Sequence, residues 1–136
     1  MDFFRSLSVA AAGLRAQAGR MRVISENIAN ADTTATRPGG DPYRRKVATF
    51  EKTLDTEMGV ETVQLGRIKR DRAAFKSQYE PGHPMADARG YVQKPNVDTM
   101  IETLDMREAQ RSYEANLNVI STTRRMLART LDILRA

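Results

Sequence analysis

The placement of proline and glycine constrains this chain more than any other feature. All five prolines (Pro38, Pro42, Pro81, Pro84, Pro95) lie between residues 37 and 96, as do six of the eight glycines. Gly13 and Gly19 are the other two; no glycine follows Gly90 and no proline follows Pro95. Proline removes a backbone donor and clashes with the preceding turn, and glycine costs about 1 kcal/mol against alanine inside a helix. The two ends are therefore free to form long helices, and the middle reads as turns, loops and short strands.

The periodicity supports this. The spacing predicts a helix over Phe3–Ile28 with Asp2 as its N-cap. Its stripe is Leu7, Ala11, Leu14, Ala18, Met21, Ser25 and Ile28, a heptad seam spaced four and three in turn. Gly13 and Gly19 within it are either tolerated defects or points of close packing. A second helix is predicted over Val97–Leu134, with Asn96 as N-cap after Pro95. Its late stripe is Tyr113, Leu117, Ile120, Arg124, Leu127, Leu131 and Leu134, flanked by Val119, Met126 and Ile133. Upstream the stripe passes through Val97, Ile101 and Leu104 and drifts around the helix, so the two halves face different neighbours. Acids crowd the start and arginines the end, which complements the helix dipole.

Between the helices, Tyr43–Phe50, Glu61–Lys69 and Ala74–Tyr79 read as strands, with Gly66 a candidate bulge and Glu80–Gly90 a loop. The expected fold class is α+β. Two long terminal helices form an antiparallel coiled-coil domain from residues 1–36 and 92–136. A small β-rich domain with loops occupies 37–91.

Composition and motifs exclude most chemistry. A chain of 136 residues is one ordinary domain. With no cysteine there is no disulfide, thiolate metal site or thiol nucleophile. The one histidine, His83, lies in a Gly-His-Pro loop, where a surface or packing role is expected rather than catalysis. Asp98, Glu102 and Asp105 share a helix face, but acids at a helix start ordinarily complement its dipole. Gly39-Gly40 is followed by Asp41-Pro42, not by the Lys-Ser/Thr of a phosphate loop. No segment suits a membrane span or a cleaved secretory signal. No catalytic, cofactor or metal residues are expected, and the chain reads as a non-enzyme.

The basic runs are the best residue-level case for binding. Arg44-Arg45-Lys46 and Arg67, Lys69, Arg70, Arg72 cluster in a middle segment (residues 37–96) that holds 12 basic and 8 acidic residues. One alternative is thus a basic nucleic-acid-binding module with a coiled-coil dimerisation helix. Interspersed acids and few stacking aromatics count against it, and acidic protein partners fit better.

Asn27-Ile28-Ala29-Asn30 ends the first helix, as expected of asparagine, which tolerates left-handed C-cap geometry. The run Ser25–Thr34 that contains it, closing an Ala-rich heptad helix, resembles the N-terminal signature of bacterial flagellar rod and hook proteins. Pro42-Tyr43-Arg44-Arg45-Lys46, Tyr79-Glu80-Pro81-Gly82-His83-Pro84, Gly90-Tyr91-Val92, Pro95-Asn96-Val97 and Ser112-Tyr113-Glu114-Ala115-Asn116 extend the likeness in order along nearly the whole chain. It is nearest the proximal branch of the rod family. Ala35 departs from a common glycine, and Thr36–Asp41 reads as an insertion.

The resemblance implies a structural subunit of the basal-body rod within the periplasm. Such a subunit is exported by the flagellar type III apparatus without a cleaved signal, and it assembles helically to transmit torque. Implied neighbours are copies of itself, other rod proteins and the adaptor to the MS ring; no nucleic acid and no cofactor is implied. The helices would form an inner layer and residues 37–91 an outer one. Asn27, Ile28, Ala29 and Asn30 carry the family motif. Leu7, Leu14, Met21, Ile28, Tyr113, Leu117, Ile120, Leu127, Leu131 and Leu134 are the expected subunit interface. Exposed apolar stripes on a two-helix layer independently argue for assembly.

Overall fold

The fold is a computed structural model, which describes residues 2–135. Helix α1 spans Phe3–Ala29 and helix α2 spans Thr99–Arg135. Between them lie strands β1 (Lys46–Val47), β2 (Phe50–Asp55), β3 (Val60–Leu65), β4 (Lys69–Arg70), β5 (Lys76–Tyr79) and β6 (Tyr91–Lys94). The class is α+β, as expected. Among the described residues the strands form three antiparallel two-stranded ladders, β1–β4, β2–β3 and β5–β6, rather than one small sheet. Tyr43–Phe50 is interrupted by Ala48 and Thr49, and β6, which the sequence pattern did not reveal, pairs with β5.

The chain divides into two compact units, and each takes part of both helices. One holds the described residues up to Met21, together with Ala48–Arg67 and the described residues from Arg107 onward. The other holds Arg22–Val47 and Ile68–Met106.

In the first unit α1 runs antiparallel to α2. Gly13 lies against Asn116, and Arg20, seven residues on, reaches Glu108 at 3.7 Å. The β2–β3 hairpin packs on α1 as well: Leu65 lies against Gly19, and Ser8 donates to Asp55 at 2.8 Å. Both helical glycines therefore mark close approach. A Cβ at Gly13 would lie 2.9 Å from Asn116 Nδ2, and one at Gly19 2.8 Å from Leu65 Cδ2. The buried α1 residues here are small, Ala10, Ala12 and Ala16. The expected seam lies elsewhere on the helix: Leu7, Leu14 and Met21 stay half-buried and Ala18 is exposed. Small side chains win the inner face because two neighbours press on one helix.

Helix α2 buries Ala109 and Thr123 and half-buries Tyr113, Asn116, Ile120 and Leu127. Leu117 and Arg124, expected on the seam, are exposed; Asn116 and Thr123 take the inward positions. With Gly13 level with Asn116, the first residue of α1 is level with about Met126. The last nine residues of α2 continue past it, about 13 Å at 1.5 Å per residue. Leu131, Ile133 and Leu134 on this stretch are 50%, 75% and 77% exposed.

The hairpin is closed by a turn with Gly59 at φ +62°. Thr49 accepts from the Gly66 N–H at 2.7 Å and donates to Arg67 O at 2.7 Å. Phe50 pairs with Leu65, and Val47 with Lys69, so two residues face three. Gly66 thus follows the end of β3, between two separate ladders, where a bulge within a strand was expected.

The second unit buries Val23, Ile24, Ala31, Val92 and Val97, with Pro42 and Pro95. Ile101 and Leu104, which with Val97 make the upstream stripe, are exposed, and Glu102 takes the buried position. The β5–β6 connection is a tight loop. Glu80 N–H donates to Gly90 O at 2.9 Å, and Gly90 sits at φ +83° under Tyr79 and Pro81. Tyr79 and Tyr91 meet edge to face at 5.2 Å. His83 Nδ1 accepts the Met85 N–H at 3.0 Å, which employs it in its own turn.

Candidate functional site: a buried polar joint at the end of the first helix

Helix α1 ends without left-handed geometry. Among the described residues no non-glycine residue has positive φ, so the expected C-cap conformation at Asn30 is not used. Asn30 instead turns its side chain back on the helix. Its Nδ2 donates to Glu26 O at 2.8 Å, and its own carbonyl accepts from Thr33 Oγ1 at 2.9 Å. Glu26 O also accepts the Asn30 N–H and Asn30 O the Thr33 N–H, so the side chains add a second bond to each carbonyl of the last turn.

One turn earlier, Asn27 is 1% exposed and spends its whole hydrogen-bonding capacity on other segments. Its Oδ1 accepts the Lys46 N–H at 2.9 Å and the Tyr43 hydroxyl at 2.8 Å. Its Nδ2 donates to Lys46 O at 2.8 Å and to Glu102 Oε2 at 3.0 Å. Only this amide orientation fits, since a carboxylate and a carbonyl can only accept. The side chain thus imitates a strand residue paired to Lys46.

Glu102 is also 1% exposed. Its second oxygen accepts from Arg45 Nε, and the same guanidinium reaches Asp71 at 3.5 Å and Asp105 at 3.6 Å. Burial pulls the Arg45 pKa down, but the bond and charge of Glu102, with the charge of Asp71, outweigh it and hold the group above its ordinary value. Burial raises the Tyr43 phenol, partly offset by Lys46. Lys46 in turn pairs with Glu26 at 2.9 Å.

Asn96 closes the joint. It was expected to cap α2, but Asp98 does so, accepting the Met100 N–H at 3.0 Å. Asn96 Oδ1 accepts the Arg45 N–H at 2.8 Å, and its Nδ2 donates to Asp71 O at 3.3 Å and Ala73 O at 3.2 Å. The side chain is diverted because the strand edge offers three backbone partners, while Asp98 lies closer to the helix start.

Of the four motif residues, only Asn27 is at the centre of this joint. Asn30 ends the helix, Ile28 is half-buried and Ala29 is exposed. Sequence reasoning missed Tyr43, Lys46 and Glu102 as partners of Asn27, and Arg45 and Asn96 as members of the same joint. Glu102 did carry a signal: it lies seven residues before Ala109, on the line that continues to Asn116 and Thr123. Of the expected interface residues, Ile28, Tyr113, Ile120 and Leu127 are half-buried, while Leu117, Leu131 and Leu134 are exposed.

A buried charge that is fully paired can hold elements in place but offers nothing to a substrate. Small-residue helix packing, a saturated polar joint and uncovered apolar helix surface define a structural assembly subunit.

Residues 7–35 match the family model described as Flagella basal body rod protein, and residues 88–133 that of Flagellar basal body rod FlgEFG protein C-terminal. The first match contains Asn27, the second Asn96 and Glu102. The chain is similar to the Flagellar basal-body rod protein FlgC of Agrobacterium fabrum, 52% identical over 128 residues, covering 94% of this chain and 92% of that protein. The FlgC proteins of Bacillus subtilis and Salmonella typhimurium are 40% and 38% identical, each over 98% of this chain and 99% and 98% of their own. The chain belongs to the FlgC family of flagellar basal-body rod proteins. It is a structural, non-enzymatic subunit that assembles with other rod components. The nucleic-acid alternative finds no support, and no helix among the described residues is long and apolar enough to cross a membrane.

Proposed function

We propose that this subunit enters the rod through its terminal helices and passes torque along them across the periplasm. The observation that carries this reading is the end of α2. Leu131, Ile133 and Leu134 project beyond the start of α1 with half or more of their surface open. Apolar surface of this kind is stabilised by burial at about 25 cal/mol per Å². The half-buried seam of Leu7, Leu14, Met21 and Ile28, with the exposed Leu117, supplies further surface for neighbours. The chain exposes 9667 Å², against about 7,100 Å² for a monomer of its mass by the usual scaling.

In this reading residues 1–36 and 92–136 form the inner layer of the rod and 37–91 the outer one. The contacts are with copies of itself, other rod proteins and the adaptor to the MS ring. Delivery is by the flagellar type III apparatus without a cleaved signal. A rod requires each contact to join different patches and not to close, which the unequal helix ends allow.

Leu131→Asp with Leu134→Asp tests the reading. Both positions are exposed, so the purified chain keeps its helical circular dichroism. Incorporation into isolated basal bodies and swimming in soft agar are expected to be lost. Incorporation at the parental level would overturn the helical-end assignment.

A further inference from the structure

One basic surface is left over by the joint. Pro42, Tyr43 and Phe75 line a cleft of about 260 Å³, smaller than an ordinary small-molecule site and suited to one or two side chains. Arg44 lies over the Phe75 ring at 4.2 Å, held by Asp71 O at 2.9 Å and Ala73 O at 3.1 Å. Lys46 on the wall is neutralised by Glu26, and Asp41 stands at the rim. Arg70, also on the wall, is exposed and has no ion-pair partner among the described residues.

The β2–β3 tip has the opposite character. Glu57 and Met58 are exposed in the turn, and Glu57 makes no ion pair among the described residues. A thioether beside an aromatic ring and a carboxylate beside a guanidinium are both favourable contacts.

We propose that the cleft receives the β2–β3 tip of a second copy of this chain, with Met58 entering against Tyr43 and Phe75 and Glu57 pairing with Arg70. Charge complementarity between two different patches of one sequence selects a second copy as occupant. The contact is heterologous, so it repeats head to tail, as a rod demands. The inference rests on the reading that copies of this chain adjoin in the rod, but it uses none of the helix-end residues.

Charge exchange tests it. Glu57→Arg and Arg70→Glu are each expected to lower incorporation into isolated rods by about ten-fold, since like charges then face one another. The two reversals together are expected to restore it. Circular dichroism of each purified chain checks that the fold is kept. Parental incorporation by both single variants, or no recovery in the combination, overturns the contact.

The chain has no cysteine, which permits a second measurement. Met58→Cys with Arg70→Cys should give cross-linked ladders between copies when isolated rods are treated with a short bismaleimide, since Arg70 lines the cleft that Met58 enters. Incorporation without a ladder overturns the contact. The two readings fail separately. Parental incorporation of Leu131→Asp with Leu134→Asp removes the helix-end reading alone, and reversals without effect remove this contact alone.

Discussion

Asn27 and Lys46 are joined twice, the Lys46 N–H to Asn27 Oδ1 at 2.9 Å and Asn27 Nδ2 to the Lys46 carbonyl at 2.8 Å. A helix side chain thereby takes the place of a strand neighbour and sets the register between the end of α1 and β1. Only glutamine carries the same carboxamide, and it is one methylene longer.

Asn27→Ala should therefore destabilise the chain by about 3 kcal/mol, because the Lys46 backbone, the Tyr43 hydroxyl and one Glu102 oxygen lose a partner at once. Urea unfolding followed by circular dichroism measures this. Asn27→Asp should also destabilise, since it sets a second carboxylate against Glu102. A loss under about 1 kcal/mol for Asn27→Ala would show that water replaces the amide.

The Glu102–Arg45 pair should behave as a coupled unit. Glu102→Ala leaves the guanidinium short of its buried partner, and a loss of about 3–5 kcal/mol is expected. Glu102→Leu combined with Arg45→Met should cost clearly less than the sum of the two single changes. Additive losses in this cycle would mean that the two groups are independent.

The Ser8–Asp55 bond predicts an acid limb in the stability curve. Ser8 Oγ donates to the Asp55 carboxylate, the Met58 N–H adds a second bond, and together they hold its pKa below the usual carboxylate value. Asp55 thus stabilises the fold above about pH 4, the unfolded value. That contribution disappears as the pH falls through the lower, folded value. Ser8→Ala should move the Asp55 titration upward by nuclear magnetic resonance and flatten this limb. An unmoved titration would assign the shift to the turn amides alone.

The helices were legible because their causes are local. A Pro- and Gly-free run, an N-cap at Asp2 and apolar periodicity need no partner, and both helices lie within two residues of their expected bounds. Which face of α1 turns inward was not legible. The seam of Leu7, Leu14 and Met21 follows the largest side chains, whereas Ala10, Ala12, Gly13 and Ala16 are buried because α2 and the hairpin both approach closely. Glu102 was read as one of several acids at a helix start, and its burial depends on Arg45, 57 positions earlier. Strand β6 was hidden behind a long loop, since its pairing with β5 is set by the turn at Gly90 rather than by its own four residues.

The sequence by itself determined the two helices, the broken middle and the family signature, all carried by neighbouring residues and short-range backbone preference. Only the tertiary structure decided that Asn27 is the hub of a joint, that Asn96 serves the strand edge instead of capping a helix, and that α2 outruns α1. These depend on distances between residues far apart in the chain. A polar side chain is buried only where distant partners meet all of its hydrogen bonds, and that matching does not exist until the chain has folded.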